Sequence, residues 1–100
     1  MLRLIWHDTA LDDLDAIVTY VGERNMDAAT RLQARFAECA ERIPAHPYMY
    51  RSGRVPGTRE AVAHPNYILI YKVGADAVEI VNVIHSRRQY PPAAGEAQPS

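Results

Sequence analysis

One cysteine, one lysine, one tryptophan and one phenylalanine are found in 100 residues. Cys39 has no partner for an internal disulfide, and no Cys/His spacing makes a zinc-ligand pattern. That usage fits a reducing cytoplasm. Long apolar runs are missing too. The longest, residues 67–71, falls far short of the roughly 20 residues that span a bilayer. The first six residues meet His7 and Asp8 too soon to read as a secretory signal. No internal repeat is visible. A strong excess of either charge is also lacking: the net charge is −1, which speaks against a general polyanion binder.

What is present is a globular composition, 48% apolar and 23% charged, of about one domain's length. A chain this short sits near the size at which a single core becomes marginal, so partner binding or oligomerisation would be no surprise. The near-neutral total hides an asymmetry. Residues 1–50 carry five Arg against eight Asp and Glu, a balance of −3. Residues 51–100 carry five Arg and one Lys against four Asp and Glu, a balance of +2. Arginine is the side chain that grips phosphates and carboxylates with two parallel hydrogen bonds, so the second half presents a patch.

Alternation of Leu2, Leu4 and Trp6 with Arg3 and Ile5 predicts a short strand. Asp8 or Thr9 is expected to cap a helix whose stripe is Leu11, Leu14, Ile17, Val18 and Val21. Asp12, Asp13 and Asp15 suit the positive end of its dipole. After the break at residues 22–25, Asp27 reads as the cap of a second helix with Ala29, Leu32, Phe36, Cys39 or Ala40, and Ile43 on its buried side. Pro44 ends it. So short a link predicts an antiparallel helical hairpin. Residues 46–57 are loop or ragged edge, residues 58–63 are extended, and residues 67–73 and 78–85 are strong strands around a tight turn at residues 74–76. The last residues, 92–100, are rich in Pro, Ala, Gly and Gln and read as a disordered tail. The order β-α-α-β-β-β predicts an α+β domain over residues 1–91, with the hairpin packed on a small antiparallel sheet and a meander at its end.

Two basic clusters flank the strong strands. One is Arg51, Arg54 and Arg59; the other is His85, Arg87, Arg88 and, beside them, Tyr90. A meander puts residues 59 and 85 on neighbouring or next-neighbouring strands, where both clusters can face one concave surface that holds a phosphate backbone. His85 has the side chain whose unperturbed pKa lies nearest neutrality, which makes it the proton-transfer candidate. Tyr90 is suited to stack on an unpaired base. Plainer roles compete with each of these. Arg59 has Glu60 and Glu79 as ion-pair partners, His85 at a strand end serves equally as a hydrogen-bonded structural residue, and Arg87 and Arg88 serve as a solvated sheet end. His7, His46 and His64 sit on element borders without a chemical constellation. Cys39, on the helix stripe, reads as a small buried apolar residue. No cofactor or metal site is indicated.

Residues 53–60 (Gly-Arg-Val-Pro-Gly-Thr-Arg-Glu), 64–71 (His-Pro-Asn-Tyr-Ile-Leu-Ile-Tyr), 78–85 (Val-Glu-Ile-Val-Asn-Val-Ile-His) and 87–91 (Arg-Arg-Gln-Tyr-Pro) are more specific than composition. With Trp6, Ala10, Asp13, Leu14, Ile17 and Tyr20 they resemble the RelE/ParE superfamily of bacterial toxins over residues 1 to about 91. The resemblance implies the toxin half of a type II toxin–antitoxin pair, forming a hetero-oligomer with a cognate antitoxin that folds on it and neutralises it. Within the superfamily, RelE-like members cleave messenger RNA on the ribosome and ParE-like members inhibit DNA gyrase. The loop 53–60 and residues 85–91 look closer to ParE. Members that cleave often carry a basic residue just before the strong central strand, where this chain has Asn66 after Pro65. The resemblance therefore implies a gyrase inhibitor acting through Arg51, Arg54, Arg59, His85, Arg87, Arg88 and Tyr90. The alternative is an endoribonuclease with His85 as acid or base and Arg59 and Arg87 on the phosphate. A third class is an interaction module that serves only as the antitoxin's partner.

Overall fold

The computed structural model describes residues 1–87, so Arg88, Tyr90 and the tail expected at 92–100 lie outside the described residues. The elements are β1 (Arg3–Trp6), α1 (Asp8–Gly22), α2 (Met26–Arg42), a 3-10 turn (Ile43–Ala45), β2 (Arg51–Ser52), β3 (Arg59–His64), β4 (Tyr67–Val73) and β5 (Ala77–His85). Both helices pack as a hairpin on one face of a five-stranded sheet in the order β1-β5-β4-β3-β2. The expected meander is there: β2, β3, β4 and β5 pair antiparallel in chain order. The sheet as a whole is mixed, because β1 lies parallel to β5 with Arg3 opposite Ala77 and Trp6 opposite Ile80. The chain returns beside β1, in the same direction, only after both helices and the antiparallel strands β2, β3 and β4, a long connection of the kind parallel strands require.

α2 is the packed helix. Ala29, Leu32, Phe36, Cys39 and Ala40 are buried along one stripe, as their three- and four-residue spacing predicts, and Ile43 continues the stripe into the 3-10 turn that contains Pro44. Phe36 is fully buried, worth roughly 2–3 kcal/mol in transfer from water. Its ring meets Tyr67 edge-on at 5.7 Å. The cap of α2 is Asn25, whose side chain accepts from the Ala28 N–H at 3.0 Å; Asp27 sits inside the first turn instead. α1 is only half sunk. Ala10 is its one buried residue, Leu14, Ile17 and Val21 pack partly, and Leu11 is left exposed. His7 occupies its N-cap position without a side-chain cap, while Thr9 donates its hydroxyl across to the Val81 carbonyl of β5 at 2.6 Å.

Alternation through β4 and β5 sorts the two faces of the sheet. Leu69, Tyr71, Val78, Ile80 and Val83 enter the core beneath the helices. Ile68, Ile70 and Ile84, with Val81 beside them, form a smaller cluster of their own.

Candidate functional site

The first basic cluster is built on a hairpin loop. Val55, Pro56, Gly57 and Thr58 make a turn in which the Thr58 N–H donates to the Val55 carbonyl at 3.1 Å and Gly57 takes φ +84°. Proline second and a left-handed glycine third are what a type II turn demands. Gly53 donates to the Thr58 carbonyl at 2.7 Å, and a Cβ at position 53 would collide with the Thr58 hydroxyl.

This loop carries its arginines onto Glu60, which is only 3% exposed. Arg51 donates to one carboxylate oxygen from Nε at 3.2 Å and Nη2 at 2.9 Å. Arg54 donates to the other from its backbone N–H at 3.0 Å and from Nε at 2.9 Å. Burial alone would raise the Glu60 pKa. The hydrogen bonds from Arg54, side chain and backbone, and from Arg51 outweigh it and hold the carboxyl below its ordinary value. Arg59 pairs with neither Glu60 nor Glu79. Its Nη1 donates to the Tyr50 carbonyl at 2.6 Å, and its guanidinium lies 4.9 Å from the Tyr48 ring centre. Glu79 instead meets His7 at 2.6 Å.

His85 ends β5 on the helix side of the sheet. Its ring stands edge-on to Tyr67 at 5.3 Å, and Tyr67 in turn lies 5.8 Å from His64, a row that follows the strand register. His85 Nδ1 accepts from the Arg87 N–H at 3.2 Å, which leaves the ring proton on Nε2 of the neutral form. His64 Nδ1 accepts from the Asn66 N–H at 3.0 Å. Burial, and then the charge of Arg35, lower the His64 pKa. Beneath α1, a cavity of about 250 Å³ is lined by Asp13, Ile17, Tyr20, Tyr67, Val83 and His85.

Among the described residues, Arg59 and His85 stand well apart on the sheet. Arg59 is opposite Tyr71, and His85 is opposite Tyr67, four residues along β4. At about 3.4 Å per residue and about 4.8 Å per strand, their backbones stand about 17 Å apart. His85 and Arg87 are brought together; Arg59 is not with them. The residues around His85 that sequence reasoning assigned elsewhere are Asp13, read as a dipole acid, and Tyr67, read only as part of a strong strand. Only the pairing of α1 with β5 reveals them. Among the described residues no group of three or more His, Cys, Asp or Glu converges to hold a metal, and no helix is long and apolar enough to cross a membrane.

Two helices against one face of a five-stranded mixed sheet define the RelE/ParE toxin fold. A structure described as the chromosomal ParDE TA system from P. aeruginosa aligns with a TM-score of 0.74 at 22% identity, covering 85% of this chain and 96% of that one. In sequence, the model of the family described as the ParE toxin of type II toxin–antitoxin system, parDE, matches residues 4–90. The Sinorhizobium fredii protein Y4kP, a toxin by name, is 38% identical over 90 residues, covering 89% of this chain and 93% of that protein. Toxin RelE2 of Caulobacter vibrioides is 33% identical over 88 residues, covering 88% and 99%. The chain belongs to the ParE toxin family and is the toxin component of a type II toxin–antitoxin system.

Proposed function

We propose that this toxin arrests growth as a non-catalytic inhibitor of DNA gyrase in the bacterial cytoplasm, neutralised by a cognate antitoxin that folds on it. The observation behind this reading is the separation of His85 from Arg59. A nuclease needs its proton-transfer group and its phosphate-binding cations within reach of one phosphate, and about 17 Å between backbones puts Arg59 out of reach of a bond cleaved at His85. Arg51 and Arg54 are committed to Glu60. Among the described residues, what remains is the surface around His85 and Arg87, suited to docking on a protein. Membership of the ParE family supports the same target.

One observation favours a second reading, ribosome-dependent cleavage of messenger RNA. His85 keeps Nε2 without a hydrogen-bond partner among the described residues, and Arg87 follows directly after. One pair of assays separates the two. Purified toxin is added to a gyrase supercoiling and DNA-cleavage assay and, in parallel, to a translation extract in which mRNA integrity is followed. Loss of supercoiling or trapped cleavage, with mRNA intact, is expected. Unchanged gyrase at large molar excess, with mRNA cut in a manner abolished by His85→Ala, overturns the gyrase reading and makes His85 and Arg87 the catalytic pair.

A further inference from the structure

β1 covers the outer edge of β5 only from Ala77 to Ile80. Beyond that point α1 takes over the exposed backbone groups. Thr9 donates to the Val81 carbonyl, and Asp13, one helical turn later, accepts from the Val83 N–H at 3.0 Å and from the Asn82 side-chain amide at 3.0 Å. The next turn of α1 has no short polar side chain to continue the series, since positions 16, 17 and 20 are Ala, Ile and Tyr. Ser86 directs its N–H the other way, to the Asn66 carbonyl at 2.8 Å. In an antiparallel ladder alternate residues turn both backbone groups to the same side. The Val83 carbonyl and the His85 N–H therefore face outward from β4, and neither has a partner among the described residues.

These two groups flank the cavity beneath α1. They are one acceptor and one donor on alternate residues, the spacing with which a neighbouring strand pairs. A helix laid across the opening would leave both unsatisfied. The side-chain chemistry is that of a cation site. Asp13 accepts both of its hydrogen bonds on Oδ2, and Oδ1 has no hydrogen-bond partner among the described residues. α1 carries Asp8, Asp12, Asp13 and Asp15 and no basic residue. Tyr20, exposed at the rim, already holds a guanidinium, with Arg24 3.9 Å over its ring.

The geometry points to a strand-addition site at Val83–His85 for an extended, basic segment of the antitoxin. Its main chain pairs with the Val83 carbonyl and the His85 N–H. Its Lys or Arg side chain enters between Tyr20 and Tyr67 toward Asp13, held by the carboxylate and the ring faces. The inference rests on the antitoxin as partner, not on gyrase as target.

The test is antitoxin affinity, by titration calorimetry, for the toxin and for Tyr20→Arg and Tyr20→Glu, with hydrogen exchange of the His85 amide read in the free toxin and in the complex. Tyr20 is 57% exposed, so neither substitution disturbs the core. A like charge at the rim should weaken binding about tenfold or more in Tyr20→Arg. Tyr20→Glu should bind as well as the parent or better, and the His85 amide should exchange far more slowly in the complex. An equal loss in both variants assigns an apolar occupant and overturns the proposal. So does an absence of change in both, or a His85 amide that exchanges as fast in the complex as in the free toxin.

Discussion

The two ends of the sheet handle charge in opposite ways. At the β2–β3 end, a buried carboxylate is saturated by two arginines and a third arginine is tied to the Tyr50 carbonyl. At the β5 end, one oxygen of Asp13, the Val83 carbonyl and the His85 N–H have no hydrogen-bond partner among the described residues, around a cavity. Counting charges along a sequence finds the first end. Binding capacity resides in groups left over after folding, and among the described residues the second end keeps such groups beside its cavity. The arginine-rich loop is a clasp; the quieter end is a socket.

Three substitutions sharpen or break that contrast. The largest effect belongs to Glu60→Gln, which leaves Arg51 and Arg54 around a neutral group in a buried site and should cost about 3 kcal/mol, read as a lower urea midpoint at unchanged slope. A loss below about 1 kcal/mol would show that both arginines relax into solvent cheaply and that the clasp is no more structural than the socket. Glu60 also predicts an acid limb. Its folded pKa is depressed, so its contribution is fully present above the ordinary carboxylate value of about 4.3 and is lost as the pH falls through the folded value. The limb should flatten in Glu60→Gln.

A smaller effect is expected for Asp13→Ala. The Val83 N–H and Asn82 amide lose their acceptor but can reach water through the open cavity, so about 1–2 kcal/mol is expected in thermal or urea unfolding. A cost equal to that of Glu60→Gln would erase the distinction between the ends. The smallest is Tyr71→Phe, which removes one hydrogen bond, from the hydroxyl to the Pro47 carbonyl at 2.7 Å, and should cost about 1 kcal/mol. Burial pushes the Tyr71 pKa up to about 12, so the hydroxyl remains a donor and that bond should be independent of pH through the neutral range.

Much of this architecture is legible along the chain. The α2 stripe, the two strong strands and the burial of Cys39 follow from spacing, because each is a local pattern facing one core. The direction of β1 is not legible, since alternation is the same whichever way a strand runs. Asn25 rather than Asp27 as cap is a shift of two positions, decided by where the chain leaves α1. Glu60 as the partner of Arg51 and Arg54 is one acid among twelve, singled out only by a sheet register that buries it. The role of Asp13 needs the edge of β5, which lies 70 positions away in the sequence.

The parallel pairing of β1 with β5 also sets an order of events during synthesis. Arg3 waits for Ala77, and β5, flanked by β1 on one side and β4 on the other, is the last of the strands to leave the ribosome. Until it emerges, β1 has no neighbour, α1 has no edge to seal, and the helical hairpin lacks half its floor. A nascent chain that ends before residue 77 therefore lacks the strand against which β1, β4 and α1 all pack.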